Sequence, residues 1–168
     1  MHETMSARGT RRDRDDGPED PPDPLAGIPC PAGDPDRAVA AADRYAALAA
    51  ALNERVEALA ARLAGRDTPV AVSRARQLAE SYHEGAATLL AYAADLRQAQ
   101  DRWRTARALV ESGIAAGDGA AASGDFARGL AADAVAASRR AAETAACVLG
   151  RLLAQWDRGR GEPSGWGQ

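Results

Sequence analysis

The chain contains three stretches with the hydrophobic spacing of helices, separated by segments rich in Gly, Pro and charge. In the clearest stretch, apolar or small residues recur at alternating steps of three and four, the seven-residue repeat of packed helices. This seam comprises Ala75, Leu78, Tyr82, Gly85, Leu89, Tyr92, Leu96, Ala99, Trp103, Ala106 and Val110. It predicts one long helix over residues 69–111 that wraps around neighbouring helices as in a coiled coil.

A shorter helix is predicted before this one and another after it. Asp34 is a suitable N-cap and Pro35 a suitable first residue for a helix over residues 35–64. Its apolar stripe comprises Val39, Ala42, Tyr45, Leu48, Leu52, Val56, Leu59 and Leu63. A third helix is predicted over residues 125–157. Its stripe comprises Phe126, Leu130, Ala134, Ala137, Ala141, Ala145, Val148, Leu152 and Trp156.

The connections between these helices predict how they are arranged. A short turn between the first two forces long neighbouring helices to run antiparallel. Residues 112–125 contain four Gly and two Asp and predict a flexible connection, with Ser123 or Asp125 capping the third helix. The predicted fold class is all-α: an antiparallel three-helix bundle over residues 34–158, built on a long helical hairpin.

The two ends of the chain differ in composition from this bundle. Six Pro and a dense run of charge in residues 1–33 exclude a continuous helix and predict a disordered tail. Leu25 and Ile28 could dock on the bundle, although a mobile tail is the favoured interpretation. Residues 159–168 predict a flexible C-terminal tail, in which nothing nearby can bury Trp166.

Composition supports the all-α prediction. Alanine, the strongest helix former, supplies 43 of the 168 residues, and only 4% are aromatic. Alanine buries little area per residue, so we expect a thin core and a gain from self-association or from a protein partner. All 21 basic residues are Arg, which is typical of a GC-rich genome such as an actinobacterial one.

Charge and hydropathy exclude several classes of function. Residues 1–33 carry the whole excess of negative charge, and the neutral remainder lacks the basic surface that nucleic-acid binding requires. No apolar stretch is long enough for a transmembrane helix, and the N-terminus lacks the apolar region of a signal peptide. We therefore expect no nucleic-acid partner, no membrane insertion and a cytoplasmic location, with any export following a signal-peptide-independent route.

Few side chains suggest chemistry. Glu80 and His83 have the i, i+3 spacing of di-iron bundles, but such a site needs a second pair and further carboxylates, so a solvated face is favoured. Cys30 and Cys147 lack metal-type spacing and are expected to be free thiols. No nucleophile–base pair and no phosphate loop is present. We therefore expect a non-enzymatic protein with no catalytic residue, no cofactor and no metal.

Charged and aromatic residues supply the candidates for partner binding. Arg97, Arg102, Arg104 and Arg107 form a cluster, but the acids interleaved with them favour a salt-bridged solvent face over a grip on an acidic partner. The candidate partner-binding residues are Tyr82, Tyr92, Trp103, Phe126, Trp156 and Trp166. Aromatic residues at helical spacing more often belong to a core.

Two segments of the predicted hairpin carry a family resemblance. GDPDRAVAAADRYAALAAALNERVEAL, a short turn, and ARQLAESYHEGAATLLAYAADLRQAQDRW resemble the WXG-type helical hairpins of type VII secretion, closest to their actinobacterial relatives. The shared features are Gly33–Pro35, the Ala-rich first helix and Ala91–Ala93, and the similarity covers residues 33–111. Two family features are absent: the turn has no Trp-x-Gly, and neither Tyr82 nor Tyr92 is followed four residues later by an acid.

The resemblance implies a secretion substrate, or a chaperone-like partner of one, that acts by packing a helix face against another protein or itself. Two alternatives remain open from the sequence. One is a small structural or scaffolding bundle unrelated to secretion. The other is a metal-binding bundle of the ferritin-like type.

Overall fold

Three α-helices account for most of the chain. The computed structural model describes residues 23–62, 70–116 and 120–161. The helices are α1 (Pro35–Arg62), α2 (Val70–Ala116) and α3 (Ala120–Gly161). No strand occurs in the described ranges, so the predicted all-α helical bundle is confirmed. The predicted turn after α1, together with Leu63, lies outside the described residues. The predicted tail over residues 159–168 is wrong for residues 159–161, which belong to α3, and the rest of it, with Trp166, lies outside the described residues.

α2 is the central helix. Its 47 residues give a length of roughly 70 Å, against roughly 42 Å for the 28 residues of α1. Both α1 and α3 pack along α2, and no Cα atom of α1 lies within 8 Å of one in α3. Contacting pairs run in opposite order along α1 and α2, since Asp36 meets Arg97 whereas Glu57 meets Arg76.

The predicted seam of α2 lies against its neighbours. Every seam residue from Ala75 to Val110 is buried or half-buried, and α2 continues without a break through Gly85. A second line of residues at seven-residue spacing is also buried: Val72, Ala79, Ala86 and Ala93. This second line exists because α2 has neighbours on two sides rather than one.

Alanine dominates the core. Of the eighteen buried hydrophobic residues in the described part of the chain, twelve are Ala. Such small side chains let helix backbones approach closely but remove little apolar area from water. The six larger buried residues therefore carry a large share of the burial: Leu25, Val56, Val72, Leu96, Val110 and Leu152.

Two of the predicted stripes are partly wrong. In α1, Leu48 and Leu59 are 47% and 42% exposed, and small residues face α2 instead. The buried positions of α1 are Ala38, Ala42, Ala49 and Val56. In α3, Phe126 is 66% exposed, whereas its neighbour Ala127 is fully buried. In both helices a small residue occupies the close approach to α2, and the bulkier side chain lies outside it.

The predicted flexible connection over residues 112–125 is wrong for residues 112–116 and 120–125, because α2 continues to Ala116 and α3 begins at Ala120. Residues 117–119 lie outside the described residues. Ser123 and Asp125 therefore lie inside α3 rather than at its cap. Two of the glycines that suggested a loop are packing positions instead. A Cβ on Gly113 would lie 3.3 Å from Ser123 Cβ, and one on Gly124 would lie 3.2 Å from Pro24 Cγ. High alanine content on both sides keeps the backbone helical.

Residues 23–34 form a non-helical segment, the strap, that contains a turn at residues 24–27 and packs against α2 and α3 beyond the start of α1. Leu25 is only 4% exposed and lies in a cluster with residues of both helices. These are Ala106, Val110, Ala127 and Ala131, with Ile28, Trp103, Leu109 and Leu130 packed around them. The predicted tail boundary at residue 33 is therefore wrong for residues 23–33, while residues 1–22 lie outside the described residues.

The joint between the strap and α1 requires glycine. Gly33 has φ of +128°, and a Cβ there would lie 2.7 Å from Leu96 Cδ2. The next residue is the predicted N-cap: Asp34 Oδ1 accepts hydrogen bonds from the backbone N–H groups of Asp36 (3.0 Å) and Arg37 (3.1 Å). The strap thus turns into α1 within two residues, at the level of Leu96 on α2.

We expect opposite stability effects from two Gly-to-Ala substitutions in helices. A Cβ on Gly85 would lie 2.7 Å from Tyr45 Cδ1, whereas one on Gly129 would meet nothing within 4 Å. G129A should raise the free energy of unfolding by about 0.5–1 kcal/mol through helix propensity. G85A makes the same gain but overpacks the contact, and should lower the free energy of unfolding by about 1 kcal/mol net. Urea unfolding followed by circular dichroism measures both. A gain in G85A equal to that in G129A would contradict the close approach.

Candidate interaction surfaces

An aromatic cluster joins all three helices beside Gly85. The rings of Tyr45 (α1) and Tyr82 (α2) meet edge to face, with centroids 5.5 Å apart and planes at 76°. The ring of Tyr82 also contacts Trp156 of α3 at 4.9 Å with a 45° tilt. Leu152 of α3 approaches from the same side, 3.6 Å from where a Cβ of Gly85 would lie. Because Gly85 has no side chain, the large rings fit against the middle helix.

Trp156 is held by its ring rather than by its polar atom. Its Nε1 is buried and finds no acceptor among the described residues. An unpaired buried N–H costs free energy, so the contribution of this side chain comes from apolar and aromatic contact. Beside it lies an open groove of about 690 Å³, with Leu78 and Tyr82 on the α2 side and Gln155 on the α3 side.

The strap is held mainly through its backbone. Side chains of α2 and α3 donate four hydrogen bonds to its carbonyl oxygens: Trp103 Nε1 to Ile28 (3.1 Å), Gln100 Nε2 to Pro31 (3.2 Å) and to Gly33 (3.1 Å), and an Arg128 guanidinium nitrogen to Pro24 (3.2 Å). A Pro-rich segment has few backbone N–H groups of its own, so acceptors are what it offers. These hydrogen bonds fix the position of a segment whose prolines prevent it from forming a helix.

An ion pair fixes the start of the strap. Asp23 Oδ1 accepts from the backbone N–H of Leu25 (2.9 Å), and its Oδ2 lies 2.7 Å from a guanidinium nitrogen of Arg107. The hydrogen bond from Leu25, followed by that from Arg107, lowers the pKa of the Asp23 carboxyl below its usual range. Arg107 also bonds Glu111 one turn further along α2 (3.0 Å). The ionised form of Asp23 therefore favours the docked strap.

The predicted partner-binding residues fall into three groups. Tyr82, Tyr92, Trp103 and Trp156 are half-buried between segments of this one chain. Tyr92 lines a groove between α2 and α3, and Trp103 bonds the strap. Phe126 is exposed on α3, and Trp166 lies outside the described residues. Tyr82 and Trp156 come together, whereas Trp103 and Phe126 have separate surroundings.

α1 carries a set of exposed large apolar side chains. Leu48 and Leu59 are eleven residues apart and both exposed, and Leu52 between them is half-buried. Eleven residues are three helical turns plus roughly 20°, so Leu48 and Leu59 face the same way. We call Leu48, Leu52 and Leu59 the α1 leucine stripe. Other exposed large apolar residues are isolated from it in sequence: Val70, Leu90, Phe126 and Leu153.

The charged residues and potential metal ligands singled out in the sequence lie on the solvent-exposed surface. Glu80 and His83 are both exposed on α2, and the described residues contain no group of three or more potential metal ligands. Cys30 and Cys147 are free thiols, as predicted, and both are exposed. The arginine cluster shows the predicted salt-bridged face: Arg97 pairs with Asp36, Arg104 with Asp101, and Arg107 with Asp23 and Glu111.

The residues that hold the strap were not predicted from the sequence. Gln100 and Arg128 carry no motif, and their acceptors lie 67–69 and 104 residues away along the chain. One signal in the sequence was the pair of apolar residues in the Pro-rich segment, Leu25 and Ile28. This pair packs near the end of α2 that α1 is too short to cover.

We expect a difference in stability between two Trp-to-Phe variants. Both substitutions remove a similar volume from a half-buried site, but only W103F also breaks a hydrogen bond, that to Ile28 O. W156F instead removes a buried donor that lacks an acceptor. W103F should therefore be less stable than W156F by about 1–2 kcal/mol in urea unfolding. Equal stabilities would mean that the indole of Trp103 adds nothing by its N–H.

We also expect docking of the strap to depend on pH and to weaken in acid. A lowered folded-state pKa of Asp23 means that its stabilisation is complete above the usual carboxyl pKa and is lost as the pH falls through the lowered value. The indole N–H signal of Trp103 in NMR, followed from pH 7 to pH 2, should report detachment in that acid range. D23N should show weaker docking at pH 7 and lose this acid step. A D23N profile identical to that of the wild type would contradict the role of the carboxylate.

Comparison with known proteins identifies no relative. No family model matches the chain, and no curated protein or solved structure matches it either. Among the described residues, none of the three helices contains an apolar stretch sufficient to cross a membrane.

Proposed function

We propose that this chain is a non-enzymatic helical interaction protein, similar to WXG-type secretion substrates or their chaperone-like partners. The observation that carries the proposal is the α1 leucine stripe. Leu48 and Leu59 stand exposed on one side of a helix whose core-facing positions are mainly alanine. Packing on α2 leaves the apolar surface of these two side chains uncovered, so it is available to a partner.

The position of α1 favours a helical partner. α2 has neighbours on two sides, whereas the backbone of α1 closely approaches that of α2 and not that of α3. A partner helix laid along the leucine stripe would give α1 a second neighbour. Leu48 and Leu59 each expose nearly half of their surface, so covering them contributes about 1 kcal/mol apiece. That gain is modest, and it suits an interface in which flanking residues add further contact.

The family resemblance is supported by the meeting of its two segments in space. Gly33–Pro35 and Ala91–Ala93 are far apart in sequence, yet a Cβ on Gly33 would lie 3.2 Å from Tyr92 Oη. Ala93, the next residue, is fully buried. The glycine and the tyrosine thus form one structural unit at the start of the hairpin, which gives these residue types a physical reason to occur together.

We expect charge on the leucine stripe to abolish partner binding. L48E/L59E places two carboxylates on this surface, whereas A50E/A61E places two on exposed positions of α1 with the same spacing, roughly 200° away around the helix. Partners co-purified from the native host, or self-association in sedimentation velocity, should be retained by A50E/A61E and reduced at least tenfold in L48E/L59E. Both variants should keep the wild-type helical signal. Equal retention by the two variants would show that binding lies elsewhere.

The link to secretion has its own test. In the native host, the chain or a partner that co-purifies with it should reach the culture medium, and deletion of the type VII secretion ATPase should abolish this. If delivery to the medium is unchanged, or if neither protein leaves the cell, the secretion link is wrong. A scaffold unrelated to secretion would give that result while still losing its partner in L48E/L59E.

A further inference from the structure

We propose that the groove holding the strap is a peptide-binding site, that the strap is its resident occupant, and that a non-helical peptide of another protein, able to form the same turn at its start, competes for it. The expected ligand is an Asp-Pro-Leu-x-x-Ile segment without helical structure. This surface lies on α2 and α3, away from the α1 leucine stripe, so the inference does not rest on the proposed function. It rests on the contacts that already hold one such peptide in place.

The groove recognises backbone carbonyl groups. Donors from Gln100, Trp103 and Arg128 reach strap carbonyls at 3.1–3.2 Å, and no strap side chain takes part in these bonds. Proline favours such a ligand, because it prevents helix formation and leaves carbonyl groups without a partner within the segment. A peptide that follows the same course, including the turn at residues 24–27, can accept these four hydrogen bonds.

Side-chain recognition is concentrated at the leucine and the aspartate. The pocket that holds the Leu25 side chain, called the seat, is lined by Ala106, Ala127 and Ala131, each 0% exposed. The pocket exists because these three side chains are small. Two residues earlier, the carboxylate of Asp23 meets Arg107 at 2.7 Å. The groove therefore combines an apolar seat of leucine size with a cation placed for an acid.

The hydrogen bonds within the strap and those at the start of α1 do not depend on docking in the groove. The hydrogen bonds within the strap are local turns, from Ala26 N to Asp23 O and from Ile28 N to Leu25 O, both 2.9 Å. The N-cap of α1 is made by Asp34, beyond the part that docks in the groove. Gly33, with its positive φ, is the joint at which the strap can leave without unwinding α1.

The strap hides this site from competitors while it is docked. A segment tethered this closely has an effective concentration in the millimolar range, so a free peptide of equal intrinsic affinity is largely excluded. A competing ligand must bind more tightly or must meet a chain whose strap has been weakened. The wild-type chain is accordingly expected to look inert towards free peptides.

The test uses the full chain and a synthetic peptide of residues 23–34, fluorescein-labelled, with serine replacing Cys30. The chain carrying L25D, whose own strap no longer fits the seat, should bind this peptide in fluorescence polarisation at least tenfold more tightly than the wild-type chain does. A peptide carrying L25D should not bind. Adding Q100A and R128A to the L25D chain should weaken binding a further tenfold or more, while L48E/L59E on that chain should leave it unchanged.

Three results would overturn the inference: no binding of the peptide to a helical L25D chain, equal binding to the L25D and wild-type chains, or equal binding of the L25D peptide. If the L25D chain loses its helical signal, I28D loosens the strap from its other side and the same comparisons apply. Sedimentation of the wild-type chain tests whether a second copy of this chain occupies the groove. A concentration-dependent dimer that disappears in L25D would assign the groove to a second copy and contradict a foreign ligand.

Discussion

The structure depends on covering a long alanine-rich helix on two sides. Alanine seams bring helices close but bury little apolar area, so α2 needs more than one neighbour. α3 covers one side at least from Tyr82 to Gly113. α1 covers the other side only as far as Leu96, and beyond that point the strap takes over, with Leu25 as its main apolar contact. A non-helical segment of twelve residues thus covers the part of α2 that α1 does not reach.

The parts of the fold that could be predicted are those that depend on local sequence patterns, such as the spacing of apolar residues. The seam from Ala75 to Val110 alternates over five repeats, so no tertiary information was needed to place α2 or its buried edge. The N-cap at Asp34 was equally local, since Asp followed by Pro suits a helix start wherever it occurs. The second buried line of α2 was missed because it reflects how many neighbours the helix has, a property of the assembly.

The errors share one physical origin, which is contact between residues distant in sequence. A single Leu among prolines carries no period, so nothing local distinguishes Leu25 from an exposed residue. Gly113 and Gly124 suggest a loop by their type, but at a helix crossing they are the residues that let backbones and Pro24 come near. Trp103 and Trp156 both look like stripe aromatics in the sequence. They differ only because a strap carbonyl reaches one indole and not the other.

The start of the strap and the C-terminal part of α3 lie at different levels along α2. The strap begins at Asp23 beside Arg107, while Trp156 near the end of α3 lies beside Tyr82. The 25 residues from Tyr82 to Arg107 span roughly 37 Å of helix. The first and last parts of the described chain are therefore separated by about this distance, and the length of α2 sets the separation.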